Sequence, residues 1–145
     1  MNEFLSLFTR ASKLMRSAAD EAMSRHGVRV GQNLLLEVLW EQDGLTPGEL
    51  AERLHLSTPT VVKSASRMSA AGLLTRRRDT SDARLVRLCL TPHAREIRTA
   101  IEAERNQLAA RATAALTEAE RDHVMSALKK IIAEFEPTGD PGARG

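Results

Sequence analysis

Tyrosine is absent from this 145-residue chain, and Phe4, Phe8, Trp40 and Phe135 are its only aromatic residues. So few rings argue against a β-sandwich and against a sheet that stacks single-stranded bases, because both lean on aromatic side chains. Cysteine is scarcer still. Cys89 stands alone, which excludes an intrachain disulfide framework, a paired-cysteine redox motif and a cysteine-rich zinc site. His26, His55, His93 and His123 lack metal-ligand spacing, so no metal is expected. Long hydrophobic runs are missing too: the stretch from Leu34 to Trp40 is interrupted by Glu37 and is far below a membrane span. The N-terminus has no apolar signal-peptide core, and we expect a cytoplasmic protein with no membrane partner. Phosphate-loop, dinucleotide, nucleophile-elbow and zinc-protease motifs are all lacking, so we expect neither an enzyme nor a cofactor.

What is present favours helix. Apolar residues make up 42% of the chain and charged residues 28%, enough to bury one sizeable core. Ala, Leu, Glu and Arg are abundant, and all propagate helices well. The net charge of +2 conceals an uneven distribution. Between Ser57 and Leu88, Lys63, Arg67, Arg76, Arg77, Arg78, Arg84 and Arg87 face only Asp79 and Asp82, a net of +5. The remainder carries fourteen basic and seventeen acidic residues, a net of −3. Concentrated like charge suits a surface that meets a polyanion, although a solvated basic patch is the plain alternative.

Along the chain, Phe4, Phe8, Ala11, Met15, Ala18 and Ala22 are spaced as one heptad seam on a first helix that ends at Gly27. A second helix runs over about 32–42. Thr46-Pro47-Gly48-Glu49 combines an N-cap, a first-turn proline and a capping-box acid, and opens a short third helix. After a turn at His55-Leu56, Ser57 or Thr58 caps a fourth, ending at Gly72. On that helix Val61, Ala65 and Met68 share a core face, while Thr60, Lys63, Ser64 and Arg67 share a face of hydrogen-bond donors. The period then changes. Leu74 to Leu90, with Asp79-Thr80-Ser81-Asp82 at its turn, predicts an arginine-rich β-hairpin. Thr91-Pro92 starts a long helix toward Ala115, and the Thr117–Glu120 capping box starts a last one on which Val124, Leu128, Ile131 and Phe135, spaced 4, 3, 4, form an apolar stripe for a dimer contact. The Pro- and Gly-rich tail, 137–145, is expected to be disordered.

Helix, turn, donor-rich helix and basic hairpin make a winged helix-turn-helix, a shape suited to duplex DNA. At these residues the chain resembles the MarR family of bacterial transcriptional regulators. The resemblance rests on the run Leu45 to Leu54, on Ser57-Thr58-Pro59-Thr60-Val61, on Gly72-Leu73-Leu74, and above all on the wing, Asp79-x-x-Asp82-x-Arg84 followed by Leu88-Cys89-Leu90-Thr91. It implies one mainly helical domain with a small β-hairpin, in which 45–91 form the winged helix-turn-helix and 1–44 with 92–136 form dimerisation and support helices. It further implies a homodimeric repressor or activator on a pseudo-palindromic operator, often released by a small aromatic or phenolic anion. Carried over by position, Thr58, Pro59, Thr60, Lys63, Ser64 and Arg67 fall on the recognition helix, Arg84 on the wing tip and Asp82 on the acid that orients it. Arg78 and Arg87 either touch phosphate or solvate the wing. The family's peroxide-sensing branch has a reactive cysteine near the N-terminus, and this chain has none there. Arg16 and Trp40 are the best candidates for a ligand pair, a cation and an aromatic wall for an aryl carboxylate, with Trp40 as an ordinary core residue the alternative. The competing reading is a ligand-independent winged-helix module that binds DNA or protein. A protein-binding module would carry an apolar second helix, whereas this one offers Lys63 and Arg67.

Overall fold

The computed structural model describes residues 2–136, so the expectation for the 137–145 tail lies outside the described residues. The helices α1 (Glu3–Ser24), α2 (Gln32–Glu41), α3 (Pro47–Leu54) and α4 (Thr58–Ala70) precede the strands β1 (Leu74–Arg78) and β2 (Val86–Leu90), and α5 (Pro92–Glu96), α6 (Arg98–Thr113) and α7 (Glu118–Phe135) follow. The fold is mainly helical with one antiparallel hairpin, a winged helix-turn-helix. None of the described helices is long and apolar enough to cross a membrane.

Local chemistry sets most of the boundaries. Thr46 Oγ1 accepts from Glu49 N (3.2 Å) while the Glu49 carboxylate accepts from Thr46 N (3.2 Å), so the predicted capping box forms and holds the Glu49 carboxyl below its usual range. Ser57, rather than Thr58, caps α4. Between α3 and α4 His55 takes the left-handed conformation (φ 53°), which closes the helix-turn-helix in three residues. Gly72 (φ 77°) turns the chain from α4 into β1. The single long helix expected after Thr91 is instead two, because the chain flattens at Ile97 (ψ −6°). Neither proline nor glycine marks that break in the sequence.

Two compact units divide the chain, Met1–Leu108 and Ala109–Gly145. In the first, Leu35, Leu36 and Leu39 of α2, Leu50 and Ala51 of α3, Val61, Ala65 and Met68 of α4, and Leu74, Leu88 and Leu90 of the hairpin share one buried cluster. The α1 seam remains uncovered over most of its length: Phe4, Phe8 and Met15 are exposed, and only Ala22 and Met23 of that helix are buried. In the second unit α7 buries no residue at all, and Phe135 at its end is 82% exposed.

Candidate nucleic-acid interface

The α4 helix stands on the core by Val61, Ala65 and Met68, and everything else follows from that anchoring. At about 100° per residue, the opposite side is left to Pro59, Val62, Lys63 and Ser66, all exposed, with Thr60 and Arg67 on one flank. Thr60 is oriented by the cap: its hydroxyl lies 2.7 Å from Ser57 Oγ. Thr58 is exposed in the first turn, and Ser64 is half-buried. Lys63 and Arg67 have no carboxylate within salt-bridge distance among the described residues, so their charge is free for an external anion. The sequence pattern did not single out Ser66; its role comes from which flank the wing occupies.

That wing is tied to α4 directly. Arg76 of β1 donates to Ser66 Oγ (2.8 Å), which fixes the hairpin beside α4. At its root, Leu88 N donates to Leu45 O (2.8 Å) and Gly44 N to Leu88 O (3.1 Å), and the Asp43 carboxylate accepts from Leu90 N (2.9 Å) and Arg95 (2.8 Å). At its tip, Asp79 accepts from Ser81 N (3.0 Å), Asp82 N (2.8 Å) and Arg87 Nε (2.7 Å). The Arg87 hydrogen bond, aided by the two amides, holds the Asp79 carboxyl below its ordinary range, and the same pair raises Arg87.

At the wing turn the Arg84 side chain is 90% exposed, with Nε leaning on Asp82 Oδ1 (3.3 Å) and its backbone N–H on the same oxygen (3.0 Å). Arg77 and Arg78 are exposed along β1. Arg87 turns the other way: besides Asp79 it reaches Gly44 O (2.8 Å), which places it in the scaffold of the wing rather than on its outer face. Cys89 is half-buried opposite Thr75 in the hairpin.

Because the Asp79 carboxyl titrates lower in the folded wing than in the unfolded chain, its contribution is fully present above about pH 4 and is lost as pH falls through the depressed value. Asp79→Asn should remove that pH dependence and speed hydrogen exchange at the Ser81 and Asp82 amides. Exchange rates equal to those of the parent protein would show that the Asp79 charge is dispensable to the wing.

The expected ligand pair is not brought together. Trp40 packs on the core, donates its indole N–H to Ala94 O (2.9 Å) and lies under the Arg98 guanidinium, 5.8 Å from ring centroid to Cζ. Arg16 instead lines a cleft of about 660 Å³ with Lys13, Asp20, Arg29, Gln32 and the α4 flank, and Trp40 does not border it. No pattern in the sequence joins α1 to α4, so the cleft was not foreseeable from spacing.

The geometry can now be set beside known proteins. The sequence model of the MarR family matches residues 30–86, from just before α2 to the first residue of β2, which takes in the helix-turn-helix and the first strand and turn of the wing. Over residues 30–86 the chain is similar to the MarR family. The chain is 36% identical over 76 residues to the HTH-type transcriptional regulator TtmR of Methylorubrum extorquens (strain PA1), covering 52% of this chain and 39% of that protein. It is 31% identical over 90 residues to the organic hydroperoxide resistance transcriptional regulator of Bacillus subtilis (strain 168), covering 62% of this chain and 61% of that one. The chain thus spans less than two thirds of the length of either relative. Both are transcriptional regulators, not enzymes. Among solved structures, the S. aureus MepR–DNA complex aligns over 92% of this chain and 99% of that chain with a TM-score of 0.82 and 24% identity. That likeness shows a shared fold over 92% of the chain.

Proposed function

We propose that this protein is a sequence-specific double-stranded DNA-binding transcriptional regulator, a homodimeric repressor whose DNA affinity falls when a small anion binds. The observation that carries the reading is α4 itself: an anchored helix whose outer strip and flank hold Lys63 and Arg67 unpaired, with a basic wing hydrogen-bonded alongside it through Arg76 and Ser66. A helix of this width enters the major groove, where Lys63 and Thr60 reach base edges. Arg84 is placed for the adjacent minor groove, and Arg77 and Arg78 for phosphates. TtmR is named a regulator of the same type, and the MepR structure is a DNA complex, which favours DNA over a protein partner.

The dimer rests on uncovered apolar surface. On α1 Phe4, Leu5, Leu7, Phe8, Leu14 and Met15 face solvent, and on α7 so do Val124, Met125, Leu128, Ile132 and Phe135. Exposed apolar faces of this extent are those of an interface, and a second copy would cover them. Two recognition helices one DNA turn apart would then read a pseudo-palindrome. Selection of bound genomic fragments by the purified protein tests the function, and symmetric half-sites are expected. In solution at micromolar concentration the mass should be twice the 15.9 kDa of one chain. A monomer, or fragments recovered without a common sequence, would sink the respective claim.

The release signal is assigned to an anion through Arg16. An aromatic one was expected from the pairing of Arg16 with Trp40, and the indole is already committed to Ala94 and Arg98. The cleft beside α4 is the better place for it.

A further inference from the structure

The cleft between α1 and α4 is built almost wholly of donors. Lys13, Arg16, Arg29, Lys63 and Arg67 line it with Ser17, Thr60, Ser64 and Gln32, against one carboxylate, Asp20. Asp20 is occupied, accepting from Val30 N (3.2 Å) and pairing with Arg29 (3.6 Å). The other four cations have no acidic partner among the described residues, in a chain where seven of its arginines are paired with carboxylates: Arg25, Arg29, Arg84, Arg87, Arg95, Arg98 and Arg105. Gln32 adds a second kind of donor. Its side chain is 7% exposed, its Oε1 is used by Arg29 N (3.0 Å), and its Nε2 has no partner among the described residues. Val30 is the only apolar side chain in the lining, and no aromatic ring borders it.

We infer that this cleft binds a small, multiply charged phosphorylated anion, and that the anion displaces DNA by direct competition for Lys63 and Arg67. The inference rests on the DNA-binding reading of α4 for its second half only. Four unneutralised cations clustered without a counter-charge repel one another, and a ligand with several negative charges relieves that repulsion more than a singly charged aryl carboxylate does. Phosphoryl oxygens accept from guanidinium, ammonium, hydroxyl and amide donors alike, the set present here. A volume of about 660 Å³ holds a metabolite-sized molecule. Lys63 and Arg67 belong both to the cleft and to the exposed face of α4, so a polyanion drawn into the cleft occupies the groups that DNA needs. Occupancy by both would place two polyanions on the same two cations.

Inorganic pyrophosphate is the probe, titrated at constant ionic strength against chloride. Calorimetry on the DNA-free protein should show one pyrophosphate per chain, bound at least tenfold more tightly than benzoate. In operator titrations the apparent Kd for DNA should climb in proportion to pyrophosphate without reaching a plateau, since a competitor, unlike an allosteric effector, has no limiting coupling. The double variant Lys13→Gln, Arg16→Gln should lose pyrophosphate binding at least tenfold and lose the displacement with it. A plateau would overturn competition, and benzoate binding as well as pyrophosphate would overturn the ligand class. Should the double variant lower DNA affinity and the salt slope as strongly as Lys63→Ala does, without any anion present, these cations are contacts for the DNA backbone and the inference fails. Pyrophosphate binding in a protein that selects no DNA would leave the cleft assignment standing and remove the regulator reading.

Discussion

Arg84→Ala should weaken operator binding by about tenfold or more and lower the slope of log affinity against log salt by about one. The reason lies in where the wing puts that guanidinium. Asp79 gathers Ser81 N, Asp82 N and Arg87 Nε into a closed turn, and Asp82 then holds the Arg84 backbone and Nε, so the arginine is extended from the tip and pre-aimed rather than freely mobile. An arginine in a narrow A·T-rich minor groove senses a field stronger than that of an isolated phosphate, and it reads groove width as well as charge. Arg77→Ala and Arg78→Ala remove exposed charges from a strand with no such focusing, and each should cost about threefold or less with a similar change in salt slope. Fluorescence anisotropy with labelled operator over a potassium chloride series separates the two cases. Equal losses at all three positions would mean that the wing contributes only general charge.

Leu88→Ala should destabilise the protein by about 2–5 kcal/mol, as burial and cavity formation add at a fully enclosed leucine. Leu88 is 1% exposed and lies in the shared core with Leu45, Leu50 and Leu74. Its backbone also carries the link between the hairpin and the chain before α3, through Leu45 O and Gly44 N, so loosening there frees the root of the wing. The exposed neighbour Leu85→Ala should change stability by no more than about 0.5 kcal/mol. Urea unfolding followed by circular dichroism measures both. A small loss at Leu88 would show that the wing root is held by Asp43 and Arg87 rather than by the core.

Much of this architecture was written locally. Thr46-Pro47-Gly48-Glu49 starts α3 and Thr117 to Glu120 starts α7 because the capping atoms lie within three residues of the amides they satisfy. Val61, Ala65 and Met68 mark the buried side of α4 by period alone, and Asp79 to Asp82 mark the hairpin turn. The Ile97 break is different. It carries no breaker residue, and a one-residue flattening leaves no trace in helix periodicity.

The sequence by itself determined the order of elements apart from the break between α5 and α6, the donor-rich face of α4, the basic hairpin and the family resemblance, since each depends on neighbours three or four residues away or on a contiguous motif. Tertiary structure alone decided what the isolated charges do. Arg87 looked like its exposed neighbours until Gly44, 43 residues distant, was found to accept from it, and Trp40 looked like a ligand wall until Ala94 and Arg98 claimed it. Arg16 gained its partners Lys63, Arg67 and Gln32 only when α1 and α4 were folded beside one cleft. Electrostatic and hydrogen-bonding roles are set by distance in space, and a linear chain of 145 residues records that distance only over a helical turn or across a short hairpin.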